Sequence, residues 1–581
     1  MAENQRPEKH NYLLVAAFDF GTTYSGYAFS FRDDPTQVRV NSYWTSGVSQ
    51  LMSLKTSTSV LLNQAGEFHS FGFEAETAYA DLAEDGEHGG WRLFRRFKMM
   101  LHNNTQLNRD STIEDIQGNP EPALPIFTHA IHYLRQHVLD FINKSSAGVT
   151  EADVFYVITV PAIWDVRAKQ FMREAAENAG IPAAQLKLVL EPEVASIWCE
   201  GELEAAVTRD LQQPGVKYMV VDIGGGTVDV SVHERNDNGT LKEIHKASGG
   251  AWGGTEVDKL YLQTLADIFG EESMRRLRDE MMMDFLAILA DFEIKKRSPD
   301  MRTRGLMMIK IPASLREFCE EVKGKKMADV VKDSVYGESV VYKSPDKLRV
   351  PWDIVKTWFD KSVDNTKNHV KHLLEKPNIR GVETIILVGG FVESTYVQER
   401  FREALGDKRI IIPSEPGLAV LKGAVKFGHN PAVVASRMMD YTYGVRGDLA
   451  FDPKKHKEEN KMVKNGGNVL AKDCFVKFCS INQEVLFGQE FKRKSRGKSD
   501  IKKSSRLLIY RSRDSSPVTV SDSACEKIGR LTISYSEEDI ENDDFKIETS
   551  FSFGDTELLV KRMMLKSGKE VYLKIDCLGQ A

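Results

Sequence analysis

Two short glycine-containing turns carry the residues of this sequence that are best suited to chemistry. Asp19-Phe20-Gly21-Thr22-Thr23 and Asp222-Ile223-Gly224-Gly225-Gly226-Thr227 each follow an apolar run. A single glycine turn between strands is usually only a hairpin. A matched pair indicates more, because glycines leave main-chain N–H groups unshielded and able to converge on anionic oxygens. A strand-end aspartate can hold Mg²⁺ through water. Two such turns, facing each other, would clamp a polyphosphate from both sides, without the Walker pattern of a P-loop.

Strands and long helices alternate around these turns over about residues 12–430, which predicts an α/β architecture. The same aspartate-and-glycine turn occurs twice, which suggests an internal duplication with a ligand between the halves. The pattern predicts strand–turn–strand units at 13–31 and around 220–232, further strands at 154–162 and 385–390, and helices at 127–143, 165–179, 272–297, 352–375 and 394–405.

The residue pattern of the sequence changes after about residue 440. Short runs of β-prone residues, such as SRLLIYRS and GRLTISYS, are separated by Gly, Asn, Asp and Ser. This pattern is typical of an all-β sandwich. We expect no helical segment after it.

Composition excludes several classes of protein. The 581 residues are too many for one hydrophobic core. Because 84 acidic residues balance 78 basic ones, the net charge of -6 gives no overall attraction for nucleic acid or anionic membrane. No stretch approaches the ~18 apolar residues of a membrane span. The six cysteines lack CxxC pairing, which favours a reducing, cytoplasmic or nuclear, setting.

Seven segments resemble, in the same order, the motifs of the 70-kDa heat-shock chaperone family. They are FDFGTTYSG, VITVPAIWD, LEPEVASIW, VVDIGGGTVDVSV, SGGAWGGTEVD, FEIKKR and ILVGGF, and they cover about residues 12–428. FEIKKR and LVGGFVES, with the divergent C-terminal part, are most similar to a divergent branch of that family. The resemblance implies an actin-like, duplicated two-lobe ATPase domain that takes ATP or ADP with Mg²⁺.

The resemblance also implies roles for individual positions. Asp19, Glu191 and Asp222 would surround the metal, and Asp229 would lie near the attacking water. The phosphates would meet Gly21, Thr22, Thr23 and Tyr24 on one side and Gly224, Gly225, Gly226 and Thr227 on the other. The rest of the nucleotide would lie against Gly253, Gly254, Glu293, Lys296, Arg297, Gly389, Gly390 and Phe391.

Several positions depart from the family pattern. The catalytic basic residue falls in LFRRFK (93–98), where Arg96, Lys98 and Arg95 all remain candidates. The arginine expected to stack on adenine is replaced near Glu393, and an expected acid falls at Gly417. The leucine-rich linker is replaced by PAVVASRMMDYTYG (431–444), and the helical lid and acidic tail are missing. The set of co-chaperones is therefore left open.

Three functions compete on this sequence. The first is an atypical heat-shock-type protein with weak Mg²⁺-dependent ATP hydrolysis and polypeptide binding. The second is a nucleotide-gated scaffold or adaptor with negligible turnover, whose partners are clients or signalling proteins. The third is a small-molecule kinase on the same fold. The expected organisation is a disordered segment (1–11), a nucleotide-binding domain (12–430; lobe I about 12–212 and 413–430, lobe II about 213–412), a linker (431–441) and a β-sandwich (442–581).

Overall fold

The computed structural model of the chain describes residues 12–41, 43–45, 52–145, 148–202, 210–297, 305–463, 467–496, 504–534, 546–553, 556–565, 570–573 and 575–579. The segment 1–11, expected to be disordered, lies outside these ranges. Within them, strands and helices are mixed, as the α/β prediction requires. No described helix combines the length and the apolar character needed to cross a membrane.

Residues 12–212 are named the first half. The strands of this half are β1 (Leu14–Phe20), β2 (Tyr24–Phe31), β3 (Arg39–Val40), β4 (Trp44–Thr45), β5 (Met52–Ser53), β6 (Thr56–Ser57), β7 (Ser59–Leu62), β8 (Phe68–Phe71), β9 (Arg92–Arg95), β10 (Thr112–Glu114), β11 (Pro120–Pro122), β12 (Val154–Val160) and β13 (Leu186–Leu190). The helices of this half are α1 (Phe73–Glu84), α2 (Ala123–Ser145), α3 (Val166–Asn178) and α4 (Glu191–Glu202). Six of the strands form the main sheet, with the order β13-β12-β1-β2-β3 and β6 added beside β2.

Residues 213–412 are named the second half. The strands of this half are β14 (Lys217–Ile223), β15 (Val228–Arg235), β16 (Leu241–Gly250), β17 (Leu306–Lys310), β18 (Val341–Lys343), β19 (Lys347–Pro351), β20 (Thr384–Val388) and β21 (Arg409–Ile411). The order of its main sheet begins β21-β20-β14-β15-β16. The helices of this half are α5 (Thr255–Phe269), α6 (Glu271–Glu280), α7 (Met282–Arg297), α8 (Ala313–Lys323), α9 (Met327–Asp333), α10 (Trp352–Leu374) and α11 (Thr395–Ala404), and α12 (Ala419–His429) follows.

The two halves share one strand arrangement. In the first, β1 pairs antiparallel with β2 and parallel with β12; in the second, β14 pairs antiparallel with β15 and parallel with β20. All seven residues of β1 and six of the seven in β14 are buried, as apolar runs in covered parallel sheets should be. This repeated order supports the duplication predicted from the two glycine turns.

Helices α4 and α12 lie between the two sheets. Their apolar side chains share one core with Val15 and Val157 of the first half and Val220 and Ile386 of the second. A Cβ at Gly423 of α12 would lie 1.7 Å from the Val194 carbonyl oxygen of α4, so only glycine permits this contact. The first residue of α4, Glu191, is thereby held at the junction of the two sheets.

The predicted single helix over 272–297 is wrong, because two helices meet at Met281. Met274 and Leu277 of α6 pack in the core of the second half. Met282 and Leu286 at the start of α7 instead join a separate cluster around Leu61 of the first half, whereas Phe292 later in α7 returns to the core that α6 uses. The helices break where the chain passes between these two clusters, although the local sequence contains no Gly or Pro.

Beyond His429, the described residues form strands and short 3₁₀ helices, with no α-helix among them. The strands are β22 (Val434–Met438), β23 (Thr442–Ala450), β24 (Lys461–Val463), β25 (Val469–Cys479), β26 (Glu484–Leu486), β27 (Glu490–Arg496), β28 (Ser504–Ser512), β29 (Cys525–Ser534), β30 (Lys546–Ser552), β31 (Leu559–Met564) and β32 (Glu570–Leu573). They form sheets ordered β24-β25-β23-β28-β29 and β27-β30-β31-β32, which contribute to one apolar cluster.

The expected linker contains a strand. β22 lies beside β16 and, with β26, completes the seven-stranded sheet of the second half. Arg437 of β22 donates from Nε and Nη2 to the two carboxylate oxygens of Glu193 on α4, both at 2.6 Å. The segment after α12 is therefore fixed to the helix that begins at Glu191.

Candidate functional site

The two glycine turns face each other. A Cβ built on Gly225 would lie 2.1 Å from the Thr23 hydroxyl oxygen, and one on Gly226 would lie 2.5 Å from that of Thr22. Real Cβ atoms do not approach other atoms so closely, so the contact between the turns requires glycine on the second one. The packing explains two of the three consecutive glycines.

The second turn is also supported from behind. The amides of Gly253, Gly254 and Thr255 donate to the carbonyl oxygens of Gly226, Gly224 and Gly225, at 3.1, 3.1 and 2.8 Å. A Cβ on Gly253 would lie 2.5 Å from the Gly225 carbonyl oxygen, so this residue must also be glycine. Gly253 thus fixes the turn without lining the cavity, whereas Gly254 lines it.

A cavity of about 390 Å³ opens between the turns. This volume lies within the ~300–1,000 Å³ of small-molecule sites. The sequence-predicted residues on its wall are Asp19, Gly21, Thr22, Thr23, Tyr24, Lys98, Glu191, Asp222, Gly224, Gly225, Gly226, Thr227, Gly254, Glu293, Lys296, Arg297, Gly389, Gly390 and Phe391. The structure therefore brings together most of the residues singled out in the sequence.

Four carboxylates surround the deep end of this cavity. Asp19 is the penultimate residue of β1, and Asp222 pairs with Asp229 across the β14–β15 hairpin. Asp19, Asp222 and Glu191 reach the cavity wall. Asp229 is buried behind it, where its Oδ1 accepts from the Ile163 amide at 2.9 Å.

The raised pKa values of these acids indicate that too little positive charge lies near them to stabilise all of their ionised forms. Burial, then the charges of neighbouring carboxylates, raises the pKa of Asp222 well above its ordinary value. Burial also raises the pKa of Glu191 to about 7 against the opposing effect of Lys98, and that of Asp229 to about 6. Carboxylates in this state favour a bound cation, because the cation would stabilise their ionised forms.

Two lysine ammonium groups neutralise part of this negative charge. Lys98 donates to Glu191 Oε1 at 2.8 Å. Arg95 pairs with Glu76, and Arg96 donates to Asp258 at 2.8 Å without lining the main cavity. Of the three basic candidates left open by the sequence, the structure places Lys98 among the acids.

The second lysine, Lys55, was missed by the sequence analysis. Its ammonium donates to Asp19 Oδ2 and to the Gly417 carbonyl oxygen, both at 2.6 Å. It lies just before β6 in LKTSTS, which matches none of the phosphate-binding patterns considered. The pairing of β6 with β2, and the hydrogen bond from the Thr58 amide to the Thr23 carbonyl oxygen, bring this segment to the first turn.

The opposite end of the cavity is formed by the last turn of α7. Lys296 pairs with Asp258 at 2.8 Å and with Glu293 at 2.6 Å, and Arg297 pairs with Glu293 at 2.7 Å. Burial opposes ionisation of Glu293, but Lys296 and Arg297 outweigh it and lower the pKa to about 2. This carboxylate is therefore ionised and held rigidly.

Two further contacts shape this end. The Arg297 guanidinium carbon lies 5.3 Å from the centroid of the Tyr24 ring and so bridges the two halves. Arg297 also pairs with Glu393 at 2.8 Å, the residue near which the stacking arginine was expected. Gly389 has φ +96°, and a Cβ there would lie 2.4 Å from Asp222 Oδ1, so bare backbone is required beside the acids.

The donor set fits Mg²⁺ held mainly through water. In the ranges that the structure covers, no three His, Cys, Asp or Glu side chains converge closely enough to bind a metal directly. Mg²⁺ usually keeps several waters and needs only one or two carboxylates together with substrate phosphates. Asp19, Glu191 and Asp222 satisfy that requirement, and their shortage of positive charge favours such an ion.

Comparison with known proteins identifies the family. The model of the family described as "Hsp70 protein" matches residues 122–296. Heat shock 70 kDa protein 12B of Homo sapiens is 32% identical over 639 aligned residues, which span 99% of this chain and 93% of that protein. The chain belongs to the Hsp70 family. Heat shock 70 kDa protein 12A of Mus musculus is 33% identical, over 98% of this chain and 92% of that protein.

A member outside this branch matches less of the chain. Chaperone protein DnaK of Mycoplasmopsis pulmonis (strain UAB CTIP) is 25% identical over 58% of this chain and 50% of that protein. The resemblance in the sequence motifs is confirmed, and the divergent branch is that of heat shock 70 kDa proteins 12A and 12B. Membership of the Hsp70 family indicates that the chain is an Hsp70-like ATP-binding protein.

Proposed function

We propose that this chain binds ATP and ADP with Mg²⁺, hydrolyses ATP slowly and engages polypeptide through its C-terminal strands. The observation that carries the proposal is the contact between the two glycine turns at a cavity lined by Asp19, Asp222 and Glu191. Phosphoryl transfer requires mainly positioning and neutralisation of charge. The amides of Gly224–Gly226 and the hydroxyls of Thr22 and Thr23 would bind the phosphates from both sides.

The remaining side chains have distinct tasks in this proposal. Bound Mg²⁺, held by Asp19, Glu191 and Asp222, would neutralise phosphate charge. Lys98 opposes the effect of burial on the pKa of Glu191 and would bring an ammonium group to the phosphates. Asp229 hydrogen-bonds the Thr227 hydroxyl and so orients the group that faces the attacking water. Each 1.36 kcal/mol of lost transition-state stabilisation slows the reaction about tenfold.

The nucleoside would occupy the end formed by α7. Glu293 and Lys296 would hold the ribose and base edges, and Gly389 and Gly390 would let the base lie against main chain. Arg297 is shared between Glu293 and Glu393. A guanidinium paired with two carboxylates is less available to stack on a base, which supports a low rather than a high affinity for nucleotide.

Polypeptide binding is proposed for the C-terminal region, 442–581, as a β-sandwich whose described residues contain no α-helix. The short strand β24 lies at the edge of the five-stranded sheet. Its Val463 is 66% exposed and pairs with the partly exposed Val469 of β25. An apolar sheet edge can accept an extended segment by strand addition. Clients and signalling proteins are the proposed partners, and nucleic acid is not among them.

A nucleotide-gated scaffold is the second candidate, and one contact favours it. Arg437 of β22 binds Glu193, two residues after Glu191 at the cavity. The segment preceding the C-terminal strands is thus tied to the helix that carries a proposed metal-site residue. Negligible turnover with nucleotide-dependent partner binding would distinguish this candidate.

The domain organisation is part of the same proposal. Lobe I would comprise 12–212 and 413–430, lobe II 213–412, with 431–441 as the linker. Support comes from the shared strand order of the two sheets and from the core formed by α4 and α12 between them. A reducing compartment, cytoplasmic or nuclear, is proposed because the six cysteines, all in described segments, form no disulfide bond.

One experiment separates the candidate functions. Radiolabelled ATP is incubated with the pure protein alone, with unfolded peptides and with a panel of sugars. Free phosphate stimulated by peptide supports the slow ATPase, and tight binding without release supports the scaffold. Label on a sugar would establish a small-molecule kinase instead.

A charge reversal tests the site itself. Asp222→Lys should abolish Mg-ADP binding, measured by calorimetry, because a lysine side chain at this point of the cavity wall would occupy the space proposed for the metal and the phosphates. The matched control is Asp407→Lys, since the Asp407 side chain is 75% exposed and outside the cavity. Unchanged affinity for ADP in Asp222→Lys, with the control also unchanged, would contradict the assignment.

A further inference from the structure

Lys55 brings an ammonium group to the cavity wall beside one of the carboxylates proposed to hold the metal. Its Nζ lies 2.6 Å from Asp19 Oδ2 and 2.6 Å from the Gly417 carbonyl oxygen. The side chain is 17% exposed and lines the cavity beside the first glycine turn. The other oxygen of Asp19 accepts from the Thr159 hydroxyl at 3.2 Å. Both Asp19 oxygens therefore have a donor from the chain itself.

Each of the two lysines forms an ion pair with a different carboxylate of the cavity. Lys55 pairs with Asp19 and Lys98 with Glu191, whereas Asp222 has no ion-pair partner among the described residues. Two of the three carboxylates proposed to hold the metal are thus already paired with ammonium groups. A nucleotide phosphate entering this end of the cavity would meet two fixed positive charges and one unmatched acid.

The position of Lys55 is fixed by the fold. Thr56 of β6 pairs with Ser25 of β2, and the Thr56 hydroxyl accepts from the Phe73 amide at 2.8 Å. The carbonyl of Gly417 provides a second anchor for the ammonium. A lysine held between two acceptors loses less conformational freedom on ligand binding than an exposed one.

We propose that Lys55 is a resident cation of the phosphate site, which neutralises Asp19 and contacts nucleotide phosphate when Mg²⁺ is absent. Nucleotide binding to this chain therefore depends only weakly on divalent metal. The inference rests on the proposed function and deepens it, since it concerns how the same cavity holds the phosphates.

The test compares the Kd of ADP in excess Mg²⁺ with that in EDTA, by calorimetry on the full chain. For the wild type, EDTA should weaken binding by less than about tenfold. In Lys55→Met, the loss caused by EDTA should grow by a further factor of about ten to a hundred, as expected for removal of a charge-assisted hydrogen bond. Lys55→Arg keeps the charge and should show a smaller loss than Lys55→Met.

The matched control is Lys367→Met. Lys367 is 16% exposed and pairs with Asp364 at 2.6 Å, outside the cavity, so its removal should change neither Kd. Thermal melting of each variant shows that it is folded. Equal losses for Lys55→Met in both buffers, or no loss in either, would overturn the proposal. A wild type that binds ADP only with Mg²⁺ would overturn it while leaving the proposed function intact; a wild type that binds ADP in neither buffer would overturn both.

Discussion

Replacing Arg437 by methionine should release strand β22 from the sheet. Arg437 and Glu193 form a two-point ion pair with side-chain exposures of only 8% and 2%. Arg437→Met would leave a buried carboxylate without its counter-ion, close to Glu243, whose pKa responds to the Glu193 charge. Removing one partner of such a pair typically costs about 3–5 kcal/mol.

This free-energy cost predicts a change in the rate of amide hydrogen exchange. If this free energy is lost from local opening, amide exchange in 434–438 should accelerate about a hundred- to several-thousandfold, since about 1.4 kcal/mol corresponds to tenfold. The assay is hydrogen–deuterium exchange with mass spectrometry on peptides covering β22. The double variant Glu193→Met/Arg437→Met should restore most of the protection, because an apolar pair of similar size leaves no unmatched charge.

An exposed ion pair provides the control. Arg275 pairs with Glu272, and their side chains are 52% and 50% exposed. Arg275→Met should cost less than about 1 kcal/mol and leave exchange in β22 unchanged. Unchanged exchange of 434–438 in Arg437→Met would refute the reasoning, as would a double variant that opens as readily as the single one.

Two further predictions concern the turns and pH. Gly225→Ala should abolish ADP binding in calorimetry, because its Cβ would lie 2.1 Å from the Thr23 hydroxyl, whereas Gly89→Ala enters open space and should bind normally; equal binding by both would contradict the required contact. Burial, then Glu193, raises the pKa of Glu243 from 4.5 to about 8, so its contribution to stability is full below about pH 4.5 and is lost as pH rises through about 8. Glu243→Gln should flatten the fall in melting temperature between about pH 5 and 8, and an equally steep fall in this variant would contradict the assigned cause.

The sequence predicts the parts of this fold that depend on local pattern. The buried strands β1, β12, β14 and β20 and both glycine turns are readable because apolar runs and glycine have strong local preferences. The duplicated strand order follows from the repeated turns. The break at Met281 is not readable from the sequence, since it depends on the start of α7 packing in a cluster of the first half, away from the core that holds α6.

The site shows the same division. Asp19, Asp222 and the glycines stand in recognisable patterns, so their types and spacing indicate phosphate chemistry. The choice of Lys98 over Arg96 depends on the left-handed backbone of Arg96, φ 54°, and on the partner Asp258, neither of which is encoded locally. Lys55 and the Arg437–Glu193 pair depend on contacts between residues far apart in the chain.

A crystal structure of the protein with Mg-ADP would show whether the two glycine turns bind the nucleotide. The diphosphate should lie between Gly21–Thr23 and Gly224–Thr227, within hydrogen-bond distance of their amides and hydroxyls. Clear density for ADP elsewhere, or a cleft without ADP at a saturating concentration, would show that the turns are not the phosphate site.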